Sequence, residues 1–258
     1  MNSYHDWRRA SRYFFDSRAC DLEANDLSGQ CYVSGRNPDI WADERRYRDL
    51  ISSIVDLTLV TESSSLLEVG CATGFLAIGL SPVIRKYTGV DVARQAIRVA
   101  QSMSLDNCSF EKCDGEDLPF ENQTFDASIL YDVVTNFPSI DEVRPIVEEM
   151  LRVTRKGGRV LVGSVPNEQF RDAAAEIAIE IARTTPVSSQ AVPNSSRGGI
   201  LNQIQRKIWR VEPGIICYNF QTEDFIQLGA QLGARTRIAP IHQLNPYAAT
   251  RFNVVYEY

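Results

Sequence analysis

From Ser65 onward, short apolar runs alternate with longer stretches in which apolar residues recur at helical spacing. Brief runs rich in Val, Ile, Leu and aromatics read as strands buried on both faces, and a recurrence every 3.6 residues reads as a helix packed along one side. Residues 65–70, 86–92, 108–113, 125–132 and 159–165 therefore predict a set of parallel strands. Residues 95–103 and 140–153 carry helical spacing; in the second stretch Val143, Ile146, Val147, Met150 and Leu151 share one face. Lys156-Gly157-Gly158 is expected to stop that helix and turn into the next strand. The alternation predicts an α/β fold with a doubly wound, mostly parallel sheet.

On the C-terminal side, residues 222–232 predict a helix, and residues 235–241 and 251–258 predict two strands joined as a long hairpin across Asn245-Pro246. Residues 169–182 read as a helix, and residues 186–213 are rich in Ser, Asn, Gly and Pro. Ahead of the core lie an aromatic, arginine-rich start with Trp7, Arg8, Phe14 and Phe15 and a helix expected over residues 39–59. The expected organisation is a helical cap over residues 1–60, a main domain over 61–258, and a substrate-covering lid within about 166–214.

Composition narrows the partners. A net charge of −6 over 258 residues argues against the basic face that tracks nucleic acid and makes a small molecule the expected substrate. No apolar run approaches the roughly 20 residues that span a bilayer, and the opening MNSYHDWRRA is too polar and charged for the apolar core of a signal peptide, so a cytoplasmic location is expected. The 6 cysteines form no C-x-x-C pair and only His5 and His242 are available, so reduced thiols and no metal centre are expected.

The chemistry centres on LLEVGCATGF, where a buried strand ends at Glu68-Val69-Gly70 and a helix is expected just after Gly74. Glycines at such a turn let the backbone pass close to a ligand. Asp91 ends the second strand about 20 residues later, where a carboxylate can accept hydrogen bonds from ribose hydroxyls. A dinucleotide fingerprint, G-x-G-x-x-G, would place its second glycine where Ala72 stands, so the loop suits a neutral or cationic ligand better than a diphosphate.

With these residues in view, the sequence resembles the class I S-adenosylmethionine-dependent methyltransferases from about Leu66 to Val165. LLEVGCATG looks like that family's first motif, YTGVDVARQAI its second, CDGEDLPFENQTFDASIL its third and fourth, and LRVTRKGGRVLVGSVP its approach to the fifth strand. The resemblance implies S-adenosyl-L-methionine as cofactor and a seven-stranded sheet ending in an edge hairpin. It implies that Glu68, Gly70, Cys71 and Gly74 line the methionine end, that Asp91 holds the ribose, and that Val92 packs on the adenine. Asp114 would accept from the adenine amino group, with the backbone of Gly115 and Glu116 at the ring edge, and Tyr131 would border the sulfonium; Asp117 reads as a solvated cap.

Methyl transfer from a sulfonium is a one-step displacement in which placement dominates. Many relatives carry a histidine shortly after the fourth strand, where this chain has Asn136, which cannot accept a proton at neutral pH. The remaining candidates for a base are Asp132, His242 and His5. The expected activity is methylation of O or N on a small polar metabolite, a sugar or natural-product intermediate, by a monomer or homodimer without nucleic-acid or membrane partners. The alternatives are an RNA or protein methyltransferase, a non-catalytic cofactor-binding module, and an enzyme using a modified sulfonium cofactor.

Overall fold

The computed structural model describes residues 4–20, 26–184 and 217–257. The helices α1 (Tyr4–Cys20), α2 (Leu27–Val33), α3 (Pro38–Trp41) and α4 (Glu44–Thr58) precede the first strand. The sheet then begins with β1 (Ser65–Val69), α5 (Ala77–Leu80), β2 (Lys86–Asp91), α6 (Arg94–Gln101) and β3 (Cys108–Lys112). It continues through β4 (Phe125–Tyr131), α7 (Ile140–Val153), β5 (Thr154–Pro166), α8 (Arg171–Thr184), α9 (Thr222–Gln231), β6 (Arg235–Pro240) and β7 (Arg251–Glu257). Seven strands form one sheet in the order β3-β2-β1-β4-β5-β7-β6. The first five are parallel; β7 runs antiparallel between β5 and β6, which makes the expected edge hairpin.

Burial explains the sheet. Every residue of β1 is buried, so its side chains feed two cores in alternation. Leu66, with Tyr87, Ile129 and Leu161 from neighbouring strands, packs against Leu50 and Ile54 of α4 and Ile97 of α6. Leu67 and Val69, with Leu130 and Val162, meet Val143, Val147 and Met150 of α7 and Phe225 and Leu228 of α9. Each large apolar side chain so covered contributes roughly 1.5–3 kcal/mol. Helices on both faces make the doubly wound arrangement.

Three local expectations are corrected. The helix expected over residues 39–59 is broken, because the Asp43 side chain accepts from the N–H of Arg46 and caps a new helix, α4, after the short α3. The helix expected directly after Gly74 starts only at Ala77 and lasts four residues, since residues 72–76 form successive turns. Lys156-Gly157-Gly158 does not end α7: the strand begins at Thr154, and these residues bulge between the pairs Phe125–Thr154 and Ala127–Arg159. The expected cover, residues 186–213, lies outside the described residues. Among the described residues, no helix is long and apolar enough to cross a membrane.

The helical region before the sheet is tied to it. Gln30 of α2 is fully buried and accepts at 2.5 Å from the Thr73 hydroxyl in the turn after β1. Asp16 of α1 accepts at 2.7 Å from the N–H of Gln95 at the start of α6. Arg8 of α1 pairs with both Glu116 and Glu142.

Candidate active site

The C-terminal ends of the parallel strands meet the helical region around a cavity of about 470 Å³. That volume lies within the range of small-molecule and cofactor pockets. One wall is the turn after β1. Gly70 adopts φ +78, and a Cβ there would stand 2.6 Å from the Val133 side chain. The N–H groups of Gly70 and Cys71 both bond to Val90 O, at 2.8 and 3.1 Å, which fixes the turn against β2.

Asp91 closes the turn. Its carboxylate accepts from the N–H of Ala72 at 2.8 Å and of Ala93 at 2.7 Å, so it holds the loop and the start of α6 together. Burial pushes its carboxyl up to about 6, against the lowering effect of those bonds. A carboxylate has about four acceptor positions, so Asp91 keeps capacity for hydroxyls from the cavity it lines. Glu68 is 3% exposed and accepts from the Tyr87 hydroxyl. Burial raises its carboxyl to about 8, although Arg36 nearby works the other way.

Of the residues expected at the cofactor, Glu68, Gly70, Cys71, Asp91, Val92, Asp114, Gly115, Glu116 and Tyr131 all line the cavity. Gly74 is not among them: at φ +90 its missing Cβ faces Phe110 and Met103, so the glycine serves the turn and the core behind it. Asp114 is exposed and accepts from the N–H of Glu116 at 3.3 Å. Asp117 is exposed and lies in a bend, not at a helix cap.

The three candidate bases fare differently. Asp132 lines the cavity, but both its oxygens are engaged, Oδ2 by Arg36 at 2.9 Å and Oδ1 by Arg251 at 2.5 Å. Burial works to raise its carboxyl; Arg251 and Arg36 outweigh that and hold it below the usual carboxylate range, which makes it a weak proton acceptor. His242 lies outside the cavity lining, with its side chain 1% exposed. Its Nδ1 is 2.9 Å from Asp49 Oδ2 and its Nε2 is 3.3 Å from Asn245 Nδ2, so both ring nitrogens are occupied. The expectation of a base at His242 is thus corrected to a structural pairing. His5 falls near the start of α1, and its side chain is outside the described part.

Sequence reasoning missed Arg36 and Arg251. They reach Asp132 from 96 and 119 positions away, a separation that no local pattern signals. Among the described residues, no group of three or more His, Cys, Asp or Glu is placed to hold a metal ion.

The glycine turn, the carboxylate beyond β2 and the strand order together define the domain type, and residues 67–162 match the family model described as a methyltransferase domain. The chain carries a class I S-adenosylmethionine-dependent methyltransferase domain. Among curated relatives of the chain, the uncharacterized methyltransferase YcgJ of Bacillus subtilis is 26% identical over 49% of this chain and 51% of its own. Phthiotriol/phenolphthiotriol dimycocerosates methyltransferase 1 of Mycobacterium ulcerans is 30% identical over 67% of this chain and 66% of its own. Across such relatives the match covers from 3% to 66% of the relative's length. A Haloferax volcanii methyltransferase, solved with the Trm112 activator, shares the fold with a TM-score of 0.60 over 94% of this chain and 96% of its own, at 14% identity. Geranyl diphosphate C-methyltransferase of Streptomyces coelicolor shares it with a TM-score of 0.56 over 86% and 83%, at 12% identity.

Proposed function

We propose that this methyltransferase moves the sulfonium methyl group of S-adenosylmethionine to a small-molecule acceptor bound over the ends of β4, β5 and β7. The observation that carries the reading is the cavity itself, with the glycine turn and Asp91 on one side and open, donor-lined wall on the other. When bound, the cofactor supplies an electrophilic methyl group. The chain's residues bind and orient. Asp91 offers its remaining acceptor positions to ribose hydroxyls, the turn at Gly70 presents backbone without side-chain bulk, and Val92, Asp114 and the backbone of Gly115 and Glu116 border the base. Tyr131 and Glu68 face the reacting end, and Trp7, Phe14, Phe15 and Trp41 of the helical region exclude water from it.

With Asp132 ion-paired and His242 occupied, rate enhancement rests on placement. Holding nucleophile and methyl group in attack geometry can supply roughly 7–11 kcal/mol, more than the roughly 3–5 kcal/mol of a positioned base. A relative named as a C-methyltransferase widens the acceptor atom beyond the oxygen or nitrogen expected from sequence. The helical region before β1 would cover the acceptor.

Calorimetry and thermal unfolding with S-adenosylhomocysteine test the reading. A ligand at 100 times its Kd stabilises the native state by about 2.7 kcal/mol. A clear rise in Tm with the sulfonium cofactor or its product, and none with NAD, is expected. An unchanged Tm at saturating S-adenosylhomocysteine would sink the assignment. Transfer of isotope-labelled methyl into a metabolite extract, with mass detection, then names the acceptor.

A further inference from the structure

The cavity divides along the sheet. The glycine turn and Asp91 stand at the ends of β1 and β2, and Asp114 follows β3, so the cofactor groups gather over one half. The other half lies over β4, β5 and β7, where Asp132, Ser164 and Arg251 come together and Arg36 reaches in from the segment between α2 and α3.

That half has an excess of positive charge and of donors. Two guanidinium groups share the single Asp132 carboxylate, and the side chains of Arg36, Arg251 and Asp132 are only 11%, 19% and 20% exposed. Glu68 beside Arg36 does not restore the balance, because burial keeps it largely protonated at neutral pH. Of the buried side-chain atoms with no hydrogen-bond partner among the described residues, Arg36 Nε, Tyr131 OH, Thr135 Oγ1 and Trp7 Nε1 all belong to residues lining this cavity. Each carries a hydrogen to donate, and buried donors without acceptors are rare enough to ask for a ligand that supplies them.

The backbone is bent to build the cluster. Asp132 adopts φ +62 and Ser164 φ +59, left-handed conformations outside glycine at the ends of β4 and β5. The N–H of Asp132 donates to Gly163 O at 3.0 Å, and Arg251 Nη1 reaches Ser164 Oγ at 3.0 Å. Strain of this kind persists where the surroundings impose it, and it gathers at ligand sites. Apolar rings complete the wall, with Trp41 and Phe137 lining it and Tyr247 beneath the Arg251 guanidinium at 5.0 Å.

We infer that this half of the cavity takes the methyl acceptor by a carboxylate, with Arg251 and Arg36 as its charged partners and the Tyr131 and Thr135 hydroxyls as neutral donors. An apolar, ring-sized body rests on Trp41 and Phe137. The acceptor class is therefore an amphipathic carboxylic acid, a narrower group than polar metabolites at large. The inference rests on the methyl-transfer reading above. The cofactor also has a carboxylate, but Arg251 and Ser164 sit on β7 and β5, beyond β4 from the turn that holds it.

The test uses protein saturated with S-adenosylhomocysteine and measures binding of benzoate, 3-phenylpropionate and octanoate by calorimetry, each against its primary amide. At least one acid is expected to bind ten times or more tightly than its amide. Arg251→Gln should abolish that preference while S-adenosylhomocysteine affinity stays within threefold. Tyr131→Phe, which removes only the unpartnered hydroxyl, should weaken the acid by about 3–10-fold and spare the amide. No acid preferred over its amide, or a preference that survives Arg251→Gln, overturns the inference. So does a tenfold loss of S-adenosylhomocysteine affinity in Arg251→Gln, which would assign the cluster to the cofactor's own carboxylate. Failure of the wild-type protein to bind S-adenosylhomocysteine strikes the methyl-transfer reading instead.

Discussion

Glu68 shows how one buried carboxyl ties the site to stability. Its folded value is about 8 against an ordinary value near 4.5, so between those limits the folded chain holds more protons than the unfolded one. Its contribution is complete below about pH 4.5 and is lost as pH rises through about 8. Asp91, raised to about 6, acts in the same direction over a lower window, which leaves pH 6–8 to Glu68. Glu68→Gln keeps an acceptor for Tyr87 and cannot ionise. The cofactor-free variant should therefore show a flatter fall in Tm from pH 6 to 8 than the wild-type chain, by scanning calorimetry; parallel profiles would remove Glu68 as the cause. Asp91→Ala should weaken S-adenosylhomocysteine about tenfold to several hundredfold, through lost ribose bonds worth roughly 1.5–3 kcal/mol each and a loosened turn. Wild-type affinity by calorimetry would refute that placement. Asp91 was legible because turn, spacing and strand end lie within one short stretch of chain. Asp132 was legible as a residue, but its pairing was not, since its two arginine partners arrive through tertiary contact alone.

Elements were readable where one physical rule acts along their whole length. The strands from Ser65 to Tyr131 match the expected ones to within a residue or so; β1, β2 and β4 are buried on both faces, while the edge strand β3 buries Phe110 and leaves Glu111 and Lys112 exposed. The break before α4 was not readable, because its apolar positions keep helical spacing across a boundary set by the Asp43 cap. The connection between β6 and β7 shows what replaces regular structure: Asp49 of α4 accepts from both His242 Nδ1 and the N–H of Leu244, each at 2.9 Å. Removing Asp49 strands one buried and one half-buried donor, so Asp49→Ala should cost about 1–3 kcal/mol in urea unfolding. Burial lowers the His242 value more than Asp49 raises it, so the folded chain binds fewer protons there than the unfolded one. The His242 contribution to stability should therefore fall as pH drops below about 6.5, where the unfolded imidazole protonates, opposite in sign to those of Glu68 and Asp91. Replacing His242 with Asn should lessen that acid sensitivity and leave S-adenosylhomocysteine affinity unchanged; a loss of cofactor binding would restore His242 to the site.

On the scale of the whole molecule, the helices before the sheet and the turn after β1 form one clamp around the cavity. Trp7, Phe14 and Phe15 of α1 line it, and Gln30 of α2 holds Thr73. Cofactor binding should slow amide hydrogen exchange across residues 7–20 and 26–36 as well as in the glycine turn. Exchange slowed in the turn alone would make the helices bystanders. The sheet order has a different consequence. β7 follows β6 in the chain yet inserts between β6 and β5, and it brings Arg251 to Asp132. While the chain is being made on a ribosome, β5 presents a bare edge and β6 has no neighbour until residues 251–257 emerge. A bare edge recruits strands from other chains. Until residues 251–257 pair, the edge of β5 and the Arg251 side of the pocket are both incomplete, so chains caught before that pairing should be the ones that associate with one another.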